Sequence, residues 1–240
     1  MMKKLVELSI SAIGIVLVCL ATIALQVYIP ATHGYFNLGE TMVYTFALLF
    51  GPRVGLIAGG IGSALADLLT GYVIYAPGTL VIKAIEGFLV GILSRFLIRY
   101  GKRVWKPLSI VLGISIALSL SYIGVSYYSE PSETSIGLPY LGYKTFIIVI
   151  PPTFWIAVSL IIASFIVYYG LRIDPKIGVI VFSIIVGGLE MVLGYYLYEQ
   201  FILGYFALAE VPFNICQMLI GLSVAVPLYR SLENKIRYFK

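Results

Sequence analysis

Glu40, Asp67, Lys83, Glu86, Glu190, Glu199 and Glu210 are ionisable side chains set inside long apolar runs of a 240-residue chain. A charge in hydrocarbon costs several kcal/mol, about 2.5–3.5 even on lenient insertion scales, so such residues mark sites. Most of them fall toward one end of their runs, which points to a single polar pocket open to one side of a membrane. Glu210, Asn214 and Gln217 are spaced by four and three and share a helix face, which Gly221 continues inward. That face offers a ligand both donors and acceptors; hydrogen bonding between helices is the other use of such residues. Thr79, Lys83 and Glu86 also share a face, directed either at a ligand or into an internal Lys83–Glu86 pair. Glu199 is in phase with Tyr195, and both are assigned to the ligand. Glu190 lies about half a turn out of phase with Glu199 and stands as a deep acid without a role.

This chemistry is recognition rather than catalysis, and the chain reads as no enzyme. The one histidine, His33, leaves no material for a histidine-rich metal centre. Cys19 and Cys216 lie in apolar runs without CxxC spacing and read as buried hydrophobes. A serine-hydrolase reading of the Ser63 region fails, because it lies in a helix pattern and His33 is a poor base. No G-x-x-x-x-G-K-S/T motif occurs, so the chain does not drive transport by its own ATP hydrolysis. No metal or cofactor is expected.

The elements that must position these residues are membrane helices. The chain is 60% hydrophobic and 11% charged, against roughly 25% charged in a soluble domain, so the expected class is an all-α polytopic membrane protein. Apolar runs cover 5–29, 39–51, 54–72, 78–100, 107–128, 144–170, 177–203 and 206–229, with 5–29 kept as a transmembrane helix rather than a signal peptide. Outer loops then fall at 30–38, 73–77, 129–143 and a tight 204–205 turn, and Pro151-Pro152 is expected to kink the sixth helix.

With both termini cytoplasmic and all eight runs crossing, fourteen of the sixteen basic residues face the cytoplasm, and only Lys83 and Lys144 do not. If 39–51 did not cross, the Arg95–Lys106 cluster would lie outside. The net charge of +5 is therefore a matter of membrane topology and not of nucleic-acid binding. On the third run, Gly55, Gly59 and Ser63 lead to Asp67 at intervals of four, beside Ala58, Gly62 and Ala66; these small rows suit close helix packing or a sliding surface for another subunit. The loop from Pro30 to Glu40 could form a lid, with Asn37 and Glu40 turned inward.

Several blocks in order carry a family resemblance. Tyr35-Phe36-Asn37-Leu38-Gly39-Glu40, Gly59 to Asp67, Tyr75-Ala76-Pro77 and Lys83-Ala84-Ile85-Glu86-Gly87 resemble the S components of energy-coupling factor transporters. Gly194 to Glu199 and Ala209 to Gln217 resemble the last two helices of that family, so the likeness covers about 30–100 and 187–230. The branch it most resembles takes up vitamins or their precursors, such as hydroxymethylpyrimidine, pyridoxine or riboflavin. The resemblance implies a plasma-membrane subunit that captures a small vitamin-like substrate from outside. It would work with a transmembrane coupling subunit and two cytoplasmic ATPases.

Carried onto this chain, the substrate-binding residues are Asn37, Glu40, Tyr75, Thr79, Lys83, Glu86, Tyr195, Glu199, Glu210, Asn214 and Gln217. The coupling-subunit surface is expected on Gly55, Ala58, Gly59, Gly62, Ser63 and Ala66, since Ser9, Ala12 and Gly14 lack the family's alanine spacing on the first helix. The chain is read as one transmembrane domain, with a family-like core at 1–106 and 171–240 and a helix pair inserted at 107–170. A stand-alone ion-coupled transporter using Asp67, Glu86 and Glu190 is the alternative. A lipid-modifying enzyme lacks its acidic or metal-ligand motif, and a structural subunit leaves the in-phase polar residues without purpose.

Overall fold

The computed structural model describes residues 2–29, 33–127, 129, 132–138, 142–148 and 151–236. They form eight α-helices, two short hairpins and one 3-10 helix. The chain is a multi-pass membrane protein of all-α class. Six helical stretches are long and apolar enough to cross a membrane: Lys4–Ala24, Pro52–Thr70, Arg103–Ser126, Pro152–Arg172, Pro175–Ile202 and Ala207–Lys235. Two compact units appear, one from residues 1–100 and 176–240 and one from 101–175.

In the first unit, α1 (Met2–Ala24) stops five residues short of the apolar run that contains it. Gln26–Ile29 (β1) instead pairs antiparallel with Gly34–Asn37 (β2), in a register that sets Gln26 opposite Asn37 and Ile29 opposite Gly34. Val27, Tyr28 and Ile29 are branched or aromatic residues that suit a strand, which periodicity alone does not separate from a helix end. His33 closes the turn at φ 56°, and Tyr28 Oη lies 2.6 Å from its Nδ1. Pro30, Ala31 and Thr32 of the expected lid fall outside the described residues.

The next helices are α2 (Gly39–Phe50), α3 (Pro52–Thr70) and α4 (Ala76–Tyr100). Gly51 at φ 92° makes the abrupt turn between α2 and α3, where a side chain would be strained. At 12 residues α2 extends about 18 Å, well short of the ~30 Å hydrocarbon core. α3 is set tightly against α4: a Cβ on Gly59 would meet the Lys83 carbonyl oxygen at 2.6 Å, and one on Gly60 the Leu80 oxygen at 2.7 Å. Gly62 meets α1 in the same way, at the Ile15 oxygen.

Of the two uses read for these rows, close helix packing is the one seen within the chain. Gly55, Ala58, Gly59, Gly62, Ser63 and Ala66 are all buried within the chain, where their small size lets backbones touch.

α7 (Pro175–Leu203), a 3-10 helix at Gly204–Ala209 and α8 (Val211–Ile236) complete the unit. The expected two-residue turn at 204–205 is thus a longer 3-10 segment. Val18, Val43, Tyr44, Val54, Val90, Ile180 and Ile184 form its apolar core. Leu5, Leu8, Ile13, Val16 and Leu20 of α1 stay exposed, as a lipid-facing surface requires.

The second unit holds α5 (Lys102–Tyr127), β3 (Ser132–Leu138), β4 (Gly142–Ile148) and α6 (Pro152–Arg172). The stretch expected to begin a helix at 144 continues as a strand to Ile148, paired with Ser132. Pro151 and Pro152 do not kink α6; they start it, where the missing N–H costs little. α5 and α6 are joined by Trp105 Nε1 donating to the Gly170 oxygen at 2.5 Å and by a 2.5 Å bond between the Ser121 and Ser159 hydroxyls.

Candidate functional site

The polar ends of the helices in the first unit converge on one cavity under the β1–β2 hairpin. α1 supplies Thr22, the hairpin Gly34, Tyr35 and Asn37, and α2 begins at its wall with Gly39 and Glu40. α3 contributes Ser63 and Asp67, and α4, with the residue before it, contributes Tyr75, Thr79 and Lys83. Tyr195 and Glu199 come from α7, and Glu210, Asn214 and Gln217 from the start of α8. The enclosed space is about 30 Å³, room for one or two waters, so a ring-sized ligand requires side chains or the hairpin to move.

On one side a charge network is already closed. Lys83 ion-pairs with Glu40, and its Nζ donates to Glu86 Oε2 at 3.1 Å. The Gln217 amide donates to Glu40 Oε1 at 2.9 Å, while its oxygen accepts from the Asn37 backbone N–H at 2.9 Å. Beneath, the Tyr44 hydroxyl donates to Glu86 Oε1 at 2.8 Å. Each member of this network is buried or nearly so, and Lys83 keeps 3% exposure. Burial of such charges is tolerable because each carboxylate meets a donor.

Other polar atoms around the cavity remain open, one of them on Glu40 itself. The Tyr35 hydroxyl donates to Asp67 Oδ1 at 2.5 Å, and Tyr195 donates to Thr79 Oγ1 at 3.0 Å. Yet Glu40 Oε2, Asp67 Oδ2, Glu199 Oε2 and Asn214 Nδ2 are buried with no hydrogen-bond partner. Buried polar atoms are nearly always satisfied, so orphans gathered around one cavity set it apart from the rest of the fold. Burial first, and then the negative charge of Asp67, holds the Tyr35 phenol well above its ordinary range, so it stays a donor.

Ten of the eleven residues read as ligand contacts line this cavity. The exception is Glu86, which lies below it as the internal partner of Lys83 and Tyr44. Thr22, Gly34, Tyr35, Gly39, Ser63 and Asp67 are the lining residues that the ligand reading omitted. Ser63 and Asp67 were in view as one row at spacing four, and Tyr35 as a loop aromatic. Thr22 carried no signal, being an isolated hydroxyl whose own bond goes to the Val18 oxygen. Glu190 is half-buried on α7, within electrostatic reach of Glu86 and Lys83, and does not line the cavity.

Comparison with known sequences then decides the family. The family described as ECF-type riboflavin transporter, S component, matches residues 2–173. The chain belongs to that family. It is therefore a membrane transporter's substrate-binding subunit, of a kind that takes a small vitamin and works with coupling and ATPase subunits. The match to this S component family runs through 107–170 and ends before α7 and α8, whose blocks at 187–230 carry part of the resemblance read above. A Pyrococcus woesei protein described as an uncharacterized protein in a gap 3' region is 46% identical over 110 residues. That stretch is 46% of this S component and 71% of the relative.

Proposed function

We propose that the cavity under the β1–β2 hairpin is the capture site for a water-soluble vitamin or vitamin precursor. The hairpin acts as its lid, and the cargo passes inward through the coupling subunit and two ATPases without covalent chemistry. One observation carries this reading: of the five buried, unpartnered polar side-chain atoms among the described residues, four belong to Glu40, Asp67, Glu199 and Asn214, which line one small cavity, and only that of Glu190 lies elsewhere. Tyr35, Tyr75 and Tyr195 add flat aromatic faces to the same wall, suited to stacking on a heterocycle. The positive-inside distribution supports a pocket that opens outward.

Mass spectrometry of small molecules released from the full-length protein purified alone in mild detergent tests the reading. Stoichiometric release of one vitamin-like heterocycle is the expected result. Release of none, together with no binding of any vitamin, would overturn it.

A further inference from the structure

We infer that the groove between α3 and α4 binds a phospholipid with an anionic headgroup, its chain laid along the groove and its phosphate held by Arg53, Arg95 and Arg99. The site shares no residue with the cavity under the hairpin. Leu56 and Ile61 of α3 and Leu80, Val81 and Ile85 of α4 wall a groove of about 320 Å³, and every residue lining it is apolar. Where the helices touch, a Cβ on Gly60 would lie 2.8 Å from that of Ala84, so small residues leave a hollow between larger ones. The five wall residues are exposed on the outside of the bundle, where acyl chains surround a membrane protein.

The groove ends in positive charge. Arg53 stands three and four residues before Leu56 and Ile57, on their side of α3. Arg95 lies about three turns beyond Ala84, and Arg99 about four turns beyond Ile85, so both return to the groove's side of α4. Arg95 Nη2 donates to the Phe50 oxygen at 2.6 Å, which brings its guanidinium to the turn between α2 and α3, close in sequence to Arg53. Among the described residues, no ion pair includes Arg53, Arg95 or Arg99. A guanidinium stays charged and offers five N–H donors in a fork that matches a phosphate.

The surroundings set these arginines at headgroup level. Phe96 and Tyr100 are exposed beside Arg99 with ring centroids 5.1 Å apart, and such aromatics mark the boundary between membrane and water. The preference of basic residues for the cytoplasmic side explains the arginines but not a groove that leads to them. A free phosphate would use the arginines and leave the groove empty, whereas a partner helix would use the groove and ignore the arginines. An amphiphile with an anionic head uses both.

The test uses the full-length protein in mild detergent, incubated with phosphatidylglycerol or with phosphatidylcholine of the same chains and read by native mass spectrometry. One phosphatidylglycerol per chain is expected, retained about tenfold better than phosphatidylcholine. Arg53→Gln combined with Arg99→Gln should abolish that preference. Val81→Trp, which fills the groove from its wall, should lower retention of both lipids. Arg53, Val81 and Arg99 are exposed, so melting temperatures without added lipid should match the wild type.

Equal retention of the two lipids, or a preference that survives in the double variant, would overturn the inference. So would displacement of phosphatidylglycerol by inorganic phosphate alone, which would reduce the arginines to a surface anion site. A Val81→Trp protein that keeps its lipid but no longer assembles with the coupling subunit would give the groove to a partner helix and overturn it as well.

Discussion

Lys83 shows how one side chain joins fold to site. Its ammonium ties α2 to α4 through Glu40 while also satisfying Glu86, so replacing it leaves two acids buried without a counter-charge. Lys83→Met is expected to cost about 3–5 kcal/mol, the usual penalty for breaking a buried pair from one side. Thermal unfolding in detergent would register it as a marked fall in Tm; an unchanged Tm would mean the network is dispensable. Tyr35→Phe is a subtler change. It removes the 2.5 Å donor to Asp67 without changing ring shape, so affinity for the cargo should fall about tenfold beside a loss of about 1–3 kcal/mol of stability. Equilibrium binding beside a melting curve separates the two effects, and unaltered affinity would take Tyr35 out of the lid. The ambiguity over Lys83 and Glu86 could not be resolved from spacing, because i,i+3 neighbours can face a ligand or each other. What decided it was Glu40, 43 residues earlier in the chain.

Among the elements, α3 shows best what residue spacing leaves open. Its rows of glycine and alanine fit close packing against any helix, and no feature of the row itself names the partner. The structure gives the partner as α4 and α1 of the same chain. Gly59→Leu should therefore fail to fold stably, at a cost of about 1–3 kcal/mol or more, since the Cβ would meet the backbone oxygen of Lys83 rather than a movable side chain. A normal yield and melting profile for that variant would contradict the packing described. The hairpin was illegible for a different reason. An apolar run through Ile29 reads as helix by hydropathy, and the pairing that makes it a strand is with residues beyond the turn. The α8 face, by contrast, was legible at once, because Glu210, Asn214 and Gln217 are three polar side chains in phase on an apolar background.

At the scale of the whole molecule, the class and family followed from composition and from blocks in order, while the lengths of individual helices did not. Topology is open to direct measurement. A cysteine at Val27, half-exposed on the hairpin, should be labelled by a membrane-impermeant thiol reagent added to intact cells, and one at Arg99 should not. The opposite pattern would invert the proposed orientation. The central claim is that the cavity under the hairpin holds the cargo. It is tested most directly by purifying the wild-type chain and a Thr79→Leu variant side by side and identifying the small molecules each releases by mass spectrometry. Thr79 is buried in the cavity wall, and leucine there would fill the small space available. The account predicts one heterocyclic compound at about one per chain from the wild type and almost none from an equally folded variant. Equal amounts of the same compound from both would place the site elsewhere.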